Sequence, residues 1–315
     1  MDARYSRPAS VTCQLGTIIA TAALVVSCGS PMGSRGAASI TDPDYQGTKH
    51  YFGWAEYLSG FMGNETRYDV LHTHDLFTSG FGGTYHGRKL TGRPVDGDDI
   101  RSEWASIREN FQRDDMFVQY SSGHGYSDGL GVGVTYDEIR DNALALDARE
   151  TIVFTMACYS GNLVDSFNSR RTEWENYRAE GRNLFVMASS ESDDTSSTGP
   201  GRDPDEPNGP NGSAGSAFGH ALWKALIGYA DRRPQNQLSA STGNGDGQTT
   251  LGELISYTVR KTQQVGGHTP VYTGSYDPAL VIAKVPTPSE LERVLGNSEA
   301  GRAELSALRA DGLIQ

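Results

Sequence analysis

The sequence has 315 residues, of which 37% are hydrophobic and 21% charged, and its mean hydropathy is −0.49. This composition is typical of a globular protein, and the length is enough for one large domain with a well-packed core. The formal net charge of −12 is spread along the chain rather than gathered in one block. A nucleic-acid-binding surface needs clustered Lys and Arg, so the charge argues against a nucleic acid as partner.

The N-terminal residues have the pattern of an export signal. Arg4 and Arg7 form a short basic region. Residues 15–26 then form an apolar run that is too short to cross a bilayer as a mature helix. The pattern predicts a chain that is exported from the cytoplasm.

The end of this run resembles the lipobox of bacterial lipoproteins, because a small residue, Ser27, precedes Cys28. The resemblance implies a signal peptide over residues 1–27, a diacylated thiol on Cys28 and a lipid-anchored protein of the bacterial cell envelope. Residues 28–44 are predicted to be a flexible tether, since they begin with a run of small residues. An ordinary secretory signal with an incidental Cys is the alternative.

Residues 45–285 alternate between apolar runs and helical patterns, which predicts an α/β domain with a mostly parallel sheet and helices on both faces. The predicted strands cover residues 68–72, 116–120, 151–156, 184–188 and 280–283. The predicted helices cover residues 98–111, 135–146, 216–230 and 250–264. Residues 286–315 are predicted to be a peripheral tail with a charged helical stretch.

Helix caps and loops complete the expected organisation. Asp98 or Asp99 is predicted to cap the first helix, and capping boxes begin at Thr135 and Thr250. Residues 49–52 fit the first strand of such a sheet poorly. The loop after the strand over residues 184–188 runs to residue 215 and is long for a compact domain, which is typical of a functional or disordered segment.

One His and one Cys each follow a predicted strand. The strand over residues 116–120 runs into His124, and the strand over residues 151–156 runs into Cys158. If the two strands are parallel neighbours joined by the helix after Thr135, both side chains emerge at the same carboxyl edge, where open α/β sheets place their sites. The sequence therefore predicts that His124 and Cys158 lie close together.

This pair suits nucleophilic catalysis. A free thiol has a pKa of about 8.5, so an imidazole is needed to raise its thiolate fraction at neutral pH. His124 can also protonate a leaving amine. Small neighbouring residues leave backbone N–H groups free, and those of Gly125 and Cys158 are predicted to stabilise an oxyanion.

Cysteine usage supports a reactive role for Cys158. Cys13 lies within the predicted signal and Cys28 is predicted to carry lipid, so Cys158 is the remaining thiol of the sequence. A lone thiol in an oxidising compartment cannot form a structural disulfide within the chain. It is either a buried small apolar side chain or a reactive group, and the residues around it favour the reactive group.

The ordered pair of motifs resembles the caspase-like superfamily of cysteine peptidases. The motifs are S-G-H-G at residues 122–125 and A-C-Y-S-G at residues 157–161, and the second is similar to the legumain pattern. A run of A-S-S at residues 188–190, followed by acidic and Ser residues, also resembles legumains. The resemblance implies a caspase-like three-layer α/β sandwich and hydrolysis of peptide bonds through a Cys158 thioester, with His124 as acid and base.

The sequence departs from this pattern at Met156. Legumains have Glu and metacaspases have Asp two residues before the Cys, and that acid helps to build the substrate pocket. Glu191, Asp193 and Asp194 could supply an acidic pocket instead, together with Ser189, and would then favour a basic or Asn side chain. A catalytically degenerate envelope protein that binds a partner, and a transpeptidase that uses the same two residues, are the alternative functions.

No cofactor is expected from the sequence. His72, His74 and Asp75 could suggest a metal site, but surface polarity is the favoured interpretation because no further cluster has suitable spacing. Residues 242–253 imitate a calcium-binding loop, for which helix capping is the better explanation, although calcium stays open. The expected partners are a peptide or protein substrate and a membrane, reached through the lipid on Cys28; the oligomeric state is not predicted.

Overall fold

Strands and helices alternate along the chain, as the apolar patterning predicts. The computed structural model describes residues 47–57, 61–78, 86–197, 199, 215–232, 243–296 and 299–310. The strands are β1 (Lys49–Ala55), β2 (His86–Leu90), β3 (Met116–Ser122), β4 (Gly129–Leu130), β5 (Val134–Thr135), β6 (Glu150–Met156), β7 (Asn183–Ala188), β8 (Gln248–Thr250), β9 (Val271–Ser275) and β10 (Val281–Lys284). The α-helices are α1 (Phe61–Thr78), α2 (Gly97–Asn110), α3 (Tyr136–Ala145), α4 (Gly161–Ser169), α5 (Ala217–Lys224), α6 (Leu251–Gly266), α7 (Pro288–Leu295) and α8 (Glu299–Ala310).

Six strands form one sheet in the order β2-β1-β3-β6-β7-β9. The first five strands of this order run parallel to one another, and β9 pairs antiparallel with β7. Every residue of β1, β3, β6 and β7 is buried, as expected for strands that are covered on both faces. The predicted α/β class with a mostly parallel central sheet is confirmed.

Alternate residues of the central strands point into two separate apolar cores. On β6, Ile152 and Phe154 belong to the first core, whereas Val153 belongs to the second. The first core includes side chains of α1, α5, α6, α7 and α8, and the second includes side chains of α2, α3 and α4. The sheet therefore lies between two helical layers, which is the predicted three-layer sandwich.

Local sequence explains how several helices begin. α3 and α6 start at the predicted capping boxes, with Thr135 and Thr250 as the N-cap residues. α2 is capped by Asp96, whose carboxylate accepts hydrogen bonds from the backbone N–H groups of Asp98 and Asp99. The prediction of Asp98 or Asp99 as the cap is therefore wrong, because both residues already lie inside the first turn.

Residues 68–72 are helical rather than extended, because they lie in the middle of α1. Buried side chains of this helix recur every three to four residues, for example at Thr66, Val70, Thr73 and Phe77. The predicted strand covers too few residues to separate this period from the two-residue period of a strand.

β1 lies inside the sheet, between β2 and β3, although its first residues are polar. Lys49 and His50 are both buried, and the His50 ring lies 3.4 Å from the Asp115 carboxylate at the start of β3. Because the buried His50 side chain has this polar partner, the polar residues at the start of β1 can lie in the interior. It also explains why residues 49–52 fit a strand poorly when the sequence is considered alone.

Two late elements differ from the predicted ones in detail. The predicted helix over residues 216–230 is present with Ser216 as its N-cap, but the regular helix ends at Lys224 and continues as a π turn over Ala225–Tyr229, where Gly228 has a φ of 103°. β10 is present, yet it pairs with β8 in a separate two-stranded sheet.

The last two helices pack into the first core, whereas the sequence predicts a peripheral tail from residue 286. Their buried leucines are Leu291, Leu295, Leu305 and Leu308. Glu304 of α8 also forms an ion pair with Lys224 of α5, with side-chain exposures of only 2% and 0%. The apolar faces of α7 and α8 account for this docking. Among the helices that the structure describes, none is both long and apolar enough to cross a membrane.

Candidate functional site

The ends of β3 and β6 bring His124 and Cys158 to the same edge of the sheet. The two strands are parallel neighbours, and Ser122, the last residue of β3, pairs in register with Met156, the last residue of β6. His124 lies two residues beyond Ser122, and Cys158 lies two residues beyond Met156. The parallel pairing that the sequence analysis assumes is thus present, and equal chain lengths lead from the paired strand ends to the two side chains.

Backbone contacts hold the two strand exits together. The Gly123 N–H donates to the Met156 carbonyl at 3.0 Å, which extends the ladder beyond the strands. A Cβ on Gly125 would lie 1.9 Å from the Cys158 carbonyl oxygen, far inside van der Waals contact. A side chain at position 125 would therefore push the two segments apart, and glycine permits their close approach.

Within the part of the chain that the structure describes, the N–H groups of the two predicted oxyanion donors are unengaged. The hairpin beyond His124 is closed by bonds from Tyr126 N–H to the Gly129 carbonyl and from Gly131 N–H to the His124 carbonyl. Neither the Gly125 nor the Cys158 N–H has a hydrogen-bond partner among the residues that the structure describes. Both groups are thus free to bind a developing negative charge.

Cys158 is a half-buried free thiol, and His124 is half-buried as well, so both side chains are partly accessible. The next residue, Tyr159, has a φ of 57°, in the left-handed region that non-glycine residues seldom adopt. The Tyr159 N–H donates to the Asp194 carbonyl at 2.7 Å, which fixes this turn. Cys158 therefore lies on a constrained turn between β6 and α4, where local strain is often associated with function.

Glu56 is a component of the site that the sequence analysis missed. It follows the end of β1, and its carboxylate accepts the backbone N–H of His124 at 2.6 Å. Added Cβ atoms on Gly123 and Gly131 would lie 2.7 Å from Glu56 side-chain atoms, so both glycines make room for this carboxylate. If β1 had been predicted from the sequence, an acidic residue directly after its carboxyl end would have pointed to Glu56 as part of the site.

A cluster of four serines supports the turn that carries Cys158. The hydroxyls of Ser189, Ser190 and Ser196 all donate to the Ala157 carbonyl, and that of Ser189 also accepts the Ala157 N–H at 3.1 Å. Ser160 bonds to the Ser189 and Ser190 hydroxyls. Ser189 is fully buried behind the turn. This position differs from the predicted role in lining a substrate pocket.

The three acidic residues of the predicted pocket are exposed. Glu191, Asp193 and Asp194 follow β7, the strand next to β6. Gly161 lets their loop pack against the start of α4, because an added Cβ there would lie 2.4 Å from the Ser192 nitrogen. The loop therefore borders the Cys158 turn, and a role of its carboxylates in substrate binding stays a prediction.

Met156 contributes no polar group to the site. Its side chain is 2% exposed and belongs to the first core. Any acidic contact to a substrate must therefore come from another position.

The metal ligands that the sequence could suggest, His72, His74 and Asp75, have other surroundings in the fold. His72 and His74 lie on α1 rather than on a strand edge. His72 is buried beside the Trp223 ring, so surface polarity is a wrong description of it, and His74 bonds to Asp75 at 2.8 Å. The described residues include no group of three or more His, Cys, Asp or Glu side chains that could hold a metal ion.

The loop that imitates a calcium site caps a helix and shapes a turn. Glu253 accepts hydrogen bonds from Thr250 as part of the capping box of α6. Asp246 accepts the Gln248 N–H at 2.9 Å. Asp231 accepts N–H groups of the same loop, including those of residues 245 and 247. Capping and turn formation thus account for these carboxylates.

The predicted signal peptide (residues 1–27), the lipidation site Cys28 and the tether (residues 28–44) lie outside the described residues. The predicted start of the domain, at residue 45, does so as well.

Comparison with known proteins identifies the fold. No model of a known protein family matches the sequence, and no curated protein matches it. Among solved structures, the chain is similar to caspase-1 from Spodoptera frugiperda, with a TM-score of 0.50 and 14% identity over 79% of this chain and 98% of that chain. It is also similar to a structural-genomics target protein from Geobacter sulfurreducens, with a TM-score of 0.45 and 13% identity over 76% of this chain and 97% of that chain. The first likeness shows that the fold is caspase-like.

Proposed function

We propose that this chain is a cysteine peptidase with Cys158 as nucleophile and His124 as acid and base. The observation that carries the proposal is the register of β3 and β6, in which Ser122 pairs with Met156, so that His124 and Cys158 each follow two residues after a paired strand end. The N–H groups of Gly125 and Cys158, which have no partner among the described residues, support the proposal as candidate oxyanion donors. The caspase-like fold supports the same assignment by analogy.

The proposed reaction begins when the Cys158 sulfur attacks the carbonyl carbon of a peptide bond. The thiol proton passes to His124, and the N–H groups of Gly125 and Cys158 bind the oxyanion of the tetrahedral intermediate. His124 then protonates the leaving amine, and a thioester remains on Cys158. Water, deprotonated by His124, hydrolyses the thioester, which releases a carboxylic acid and restores the thiol.

The substrate is proposed to be a peptide whose side chain at the cleaved bond is basic or Asn. Glu191, Asp193 and Asp194 support this preference, because they are exposed on the loop that borders the Cys158 turn. The net charge of −12 also attracts cationic peptides over neutral ones. Ser189 is not part of this proposal, since it is buried.

A fluorogenic peptide library with varied residues at the cleaved bond tests the proposal. The parent protein is expected to release fluorophore, and Cys158→Ala and His124→Ala are expected to abolish release while the unfolding temperature stays near that of the parent. Cleavage by Cys158→Ala at the parental rate would contradict the mechanism. An added amine nucleophile, with mass spectrometry of the products, separates hydrolysis from transpeptidation, because a transpeptidase transfers the acyl group to the amine.

We further propose that the chain is anchored to a bacterial envelope membrane through a lipid on Cys28. The apolar run before Ser27-Cys28 supports this location. Metabolic labelling of expressing bacteria with an alkynyl fatty acid is expected to label the parent and not Cys28→Ser. Equal labelling of the two proteins would contradict the anchor.

A further inference from the structure

Three exposed tyrosines lie in the segments that form the proposed site. Among the described residues, the large hydrophobic side chains with the greatest exposure, between 36% and 58%, are those of Tyr57, Tyr126, Tyr159 and Tyr272. Tyr57 lies two residues beyond the end of β1, and Tyr126 lies two residues beyond His124. Tyr159 follows Cys158. Single exposed apolar side chains need no explanation, whereas their concentration at one edge of the sheet marks an interaction site.

Backbone hydrogen bonds fix the segments that carry the first two of these tyrosines. Glu56, the residue before Tyr57, donates its N–H to the Ser122 carbonyl at 2.9 Å. The Tyr126 N–H donates to the Gly129 carbonyl at 2.8 Å, within the hairpin beyond His124. Each ring therefore extends from backbone that is already ordered, so a partner that binds to it pays little for ordering the chain.

The proposed reaction determines on which side of Cys158 the leaving amine must lie. His124 protonates that amine, and His124 follows β3, whereas Cys158 follows β6. The acidic loop follows β7, on the other side of β6. The substrate residues after the cleaved bond, which form the leaving segment, therefore extend from β6 over β3 toward β1.

The spacing of the strands indicates how many residues of the leaving segment reach the two tyrosines. Neighbouring strands lie about 4.8 Å apart, so the ends of β6 and β1, two strand spacings apart in the sheet, are about 10 Å apart. An extended peptide covers this distance in about three residues. Tyr126 follows β3, the intermediate strand, and Tyr57 follows β1 at the far end of this path.

We propose that Tyr57 and Tyr126 form a binding site for apolar side chains, aromatic ones above all, in the first three residues of the leaving segment. Tyrosine combines a large apolar ring with a hydroxyl that is compatible with water, which suits an exposed recognition surface. The proposal deepens the proposed function and rests on Cys158 and His124 being its catalytic residues. It adds selectivity after the cleaved bond to the basic or Asn preference that the acidic loop supports before it.

Internally quenched peptides test the proposal, because a fluorophore attached at the cleaved bond would replace the leaving segment. Two peptides share every residue up to an arginine at the cleaved bond and then carry three phenylalanines or three serines. The parent is expected to cleave the phenylalanine peptide with a kcat/KM about 10-fold above that of the serine peptide. Tyr57→Ser and Tyr126→Ser are each expected to lower this ratio about 3-fold and together to abolish it, with cleavage of the serine peptide unchanged.

Tyr272→Ser is the matched control. Tyr272 is 46% exposed on β9, which lies two strands from β6 on the side of the acidic loop. This variant is expected to keep the parental ratio of kcat/KM. Equal cleavage of the two peptides by the parent, or a parental ratio in the double variant, would overturn the proposal. Loss of the ratio in Tyr272→Ser would place the apolar site on the opposite side and would overturn it as well.

Two further measurements separate peptide binding from other roles of these rings. Both substitutions replace exposed side chains, so the unfolding temperature of the double variant is expected to stay near that of the parent. Analytical ultracentrifugation is expected to give the same mass for the two proteins. A parental dimer that the double variant dissociates would show that a second copy of the chain covers the rings, and would overturn the proposal.

Binding to Cys158→Ala distinguishes this proposal from the proposed function. Fluorescence anisotropy of the labelled phenylalanine peptide measures its Kd without cleavage, and adding Tyr57→Ser and Tyr126→Ser to Cys158→Ala is expected to raise this Kd about 10-fold. If the parent cleaves no peptide but this rise is observed, the proposed function fails and the apolar site stands. If the parent cleaves peptides but neither the ratio nor the Kd depends on the two tyrosines, the reverse holds.

Discussion

Glu56 and His124 are joined by a hydrogen bond of 2.6 Å between a carboxylate oxygen and a backbone nitrogen, although 68 residues separate them in the chain. The bond ties the exit of β1 to the exit of β3. It fixes the backbone from which the imidazole extends, and it does so from the side of His124 that is opposite to β6, because β3 lies between β1 and β6 in the sheet.

Removal of this acceptor is expected to impair peptide cleavage more than stability. Glu56→Ala leaves the His124 N–H without its partner and loosens the loop, and a displacement of about 1 Å at a catalytic group can cost about 100-fold in rate. Glu56→Gln retains an acceptor oxygen and is expected to recover most of kcat/KM. Parental kcat/KM in Glu56→Ala would show that the bond does not position His124.

Gly125→Ala is expected to disrupt the site directly. The new Cβ would lie 1.9 Å from the Cys158 carbonyl oxygen, so the two strand exits must separate. We expect a loss of about 1–3 kcal/mol in the free energy of unfolding, as for other overpacked sites, and loss of cleavage. Ser127→Ala, in the same hairpin and exposed, is the control. Urea unfolding and peptide assays measure both effects, and a stable, active Gly125→Ala protein would refute the close approach.

Asp69 is expected to make stability depend on pH. Burial raises its pKa to about 6, against the opposing effect of hydrogen bonds from Ser122 and Ser216. Because the pKa is higher in the folded than in the unfolded state, the contribution of Asp69 to folding is fully present below about pH 4 and is lost as the pH rises through about 6. The free energy of unfolding of the parent should therefore fall relative to that of Asp69→Asn across this window.

The shift in the pKa of Asp69 limits this change in the free energy of unfolding, parent relative to Asp69→Asn, to about 3 kcal/mol. Urea unfolding of both proteins at several pH values between 4 and 7 measures it. The difference between the two proteins is the relevant quantity, since groups common to both cancel. A difference that does not vary with pH would mean that Asp69 titrates in the folded protein as it does in the unfolded chain.

The buried pair of Lys224 and Glu304 is expected to hold the C-terminal helix in the core. Glu304→Ala removes the carboxylate that pairs with the fully buried ammonium of Lys224. Breaking a buried pair of this kind lowers the free energy of unfolding by about 3–5 kcal/mol. Replacing both residues with apolar ones, as in Lys224→Met with Glu304→Leu, is expected to restore most of the stability. Thermal unfolding compares the three proteins, and an unchanged unfolding temperature in Glu304→Ala would show that the ion pair does not stabilise the docking of α8.

The predictions from sequence succeed where the determining interactions are local. β3, β6 and β7 are rich in apolar residues, and the capping boxes at Thr135 and Thr250 specify helix starts within four residues. The prediction that His124 and Cys158 are neighbours needed one further assumption, the parallel pairing of β3 with β6, and the fold supplies it.

The predictions from sequence are wrong or incomplete where a contact between residues far apart in the chain determines the structure. β1 begins with polar residues that are compatible with burial because Asp115 faces His50. The position of Glu56 can be predicted only after β1 has been predicted, because Glu56 follows the end of that strand. Its contact with His124 therefore could not be inferred from the spacing of the two residues in the sequence. Ser189 could equally line a pocket or support a turn, and its full burial and its hydrogen bonds to Ser160 and the Ala157 backbone decide for the turn.

The register of Ser122 with Met156 also bears on how the protein could be redesigned. The separation of His124 and Cys158 follows from the hydrogen-bond ladder of the sheet, whereas the loop with Glu191, Asp193 and Asp194 leaves from a different strand. Exchange of that loop for one of another sequence would change the surface that meets a substrate while the ladder retains the spacing of the two reactive groups. Under the proposed function, selectivity and reactivity are thus encoded in separable parts of the chain, and libraries that vary the side chains of Glu191, Asp193 and Asp194 but keep Ser196, which bonds to the Ala157 carbonyl, can search for new substrates.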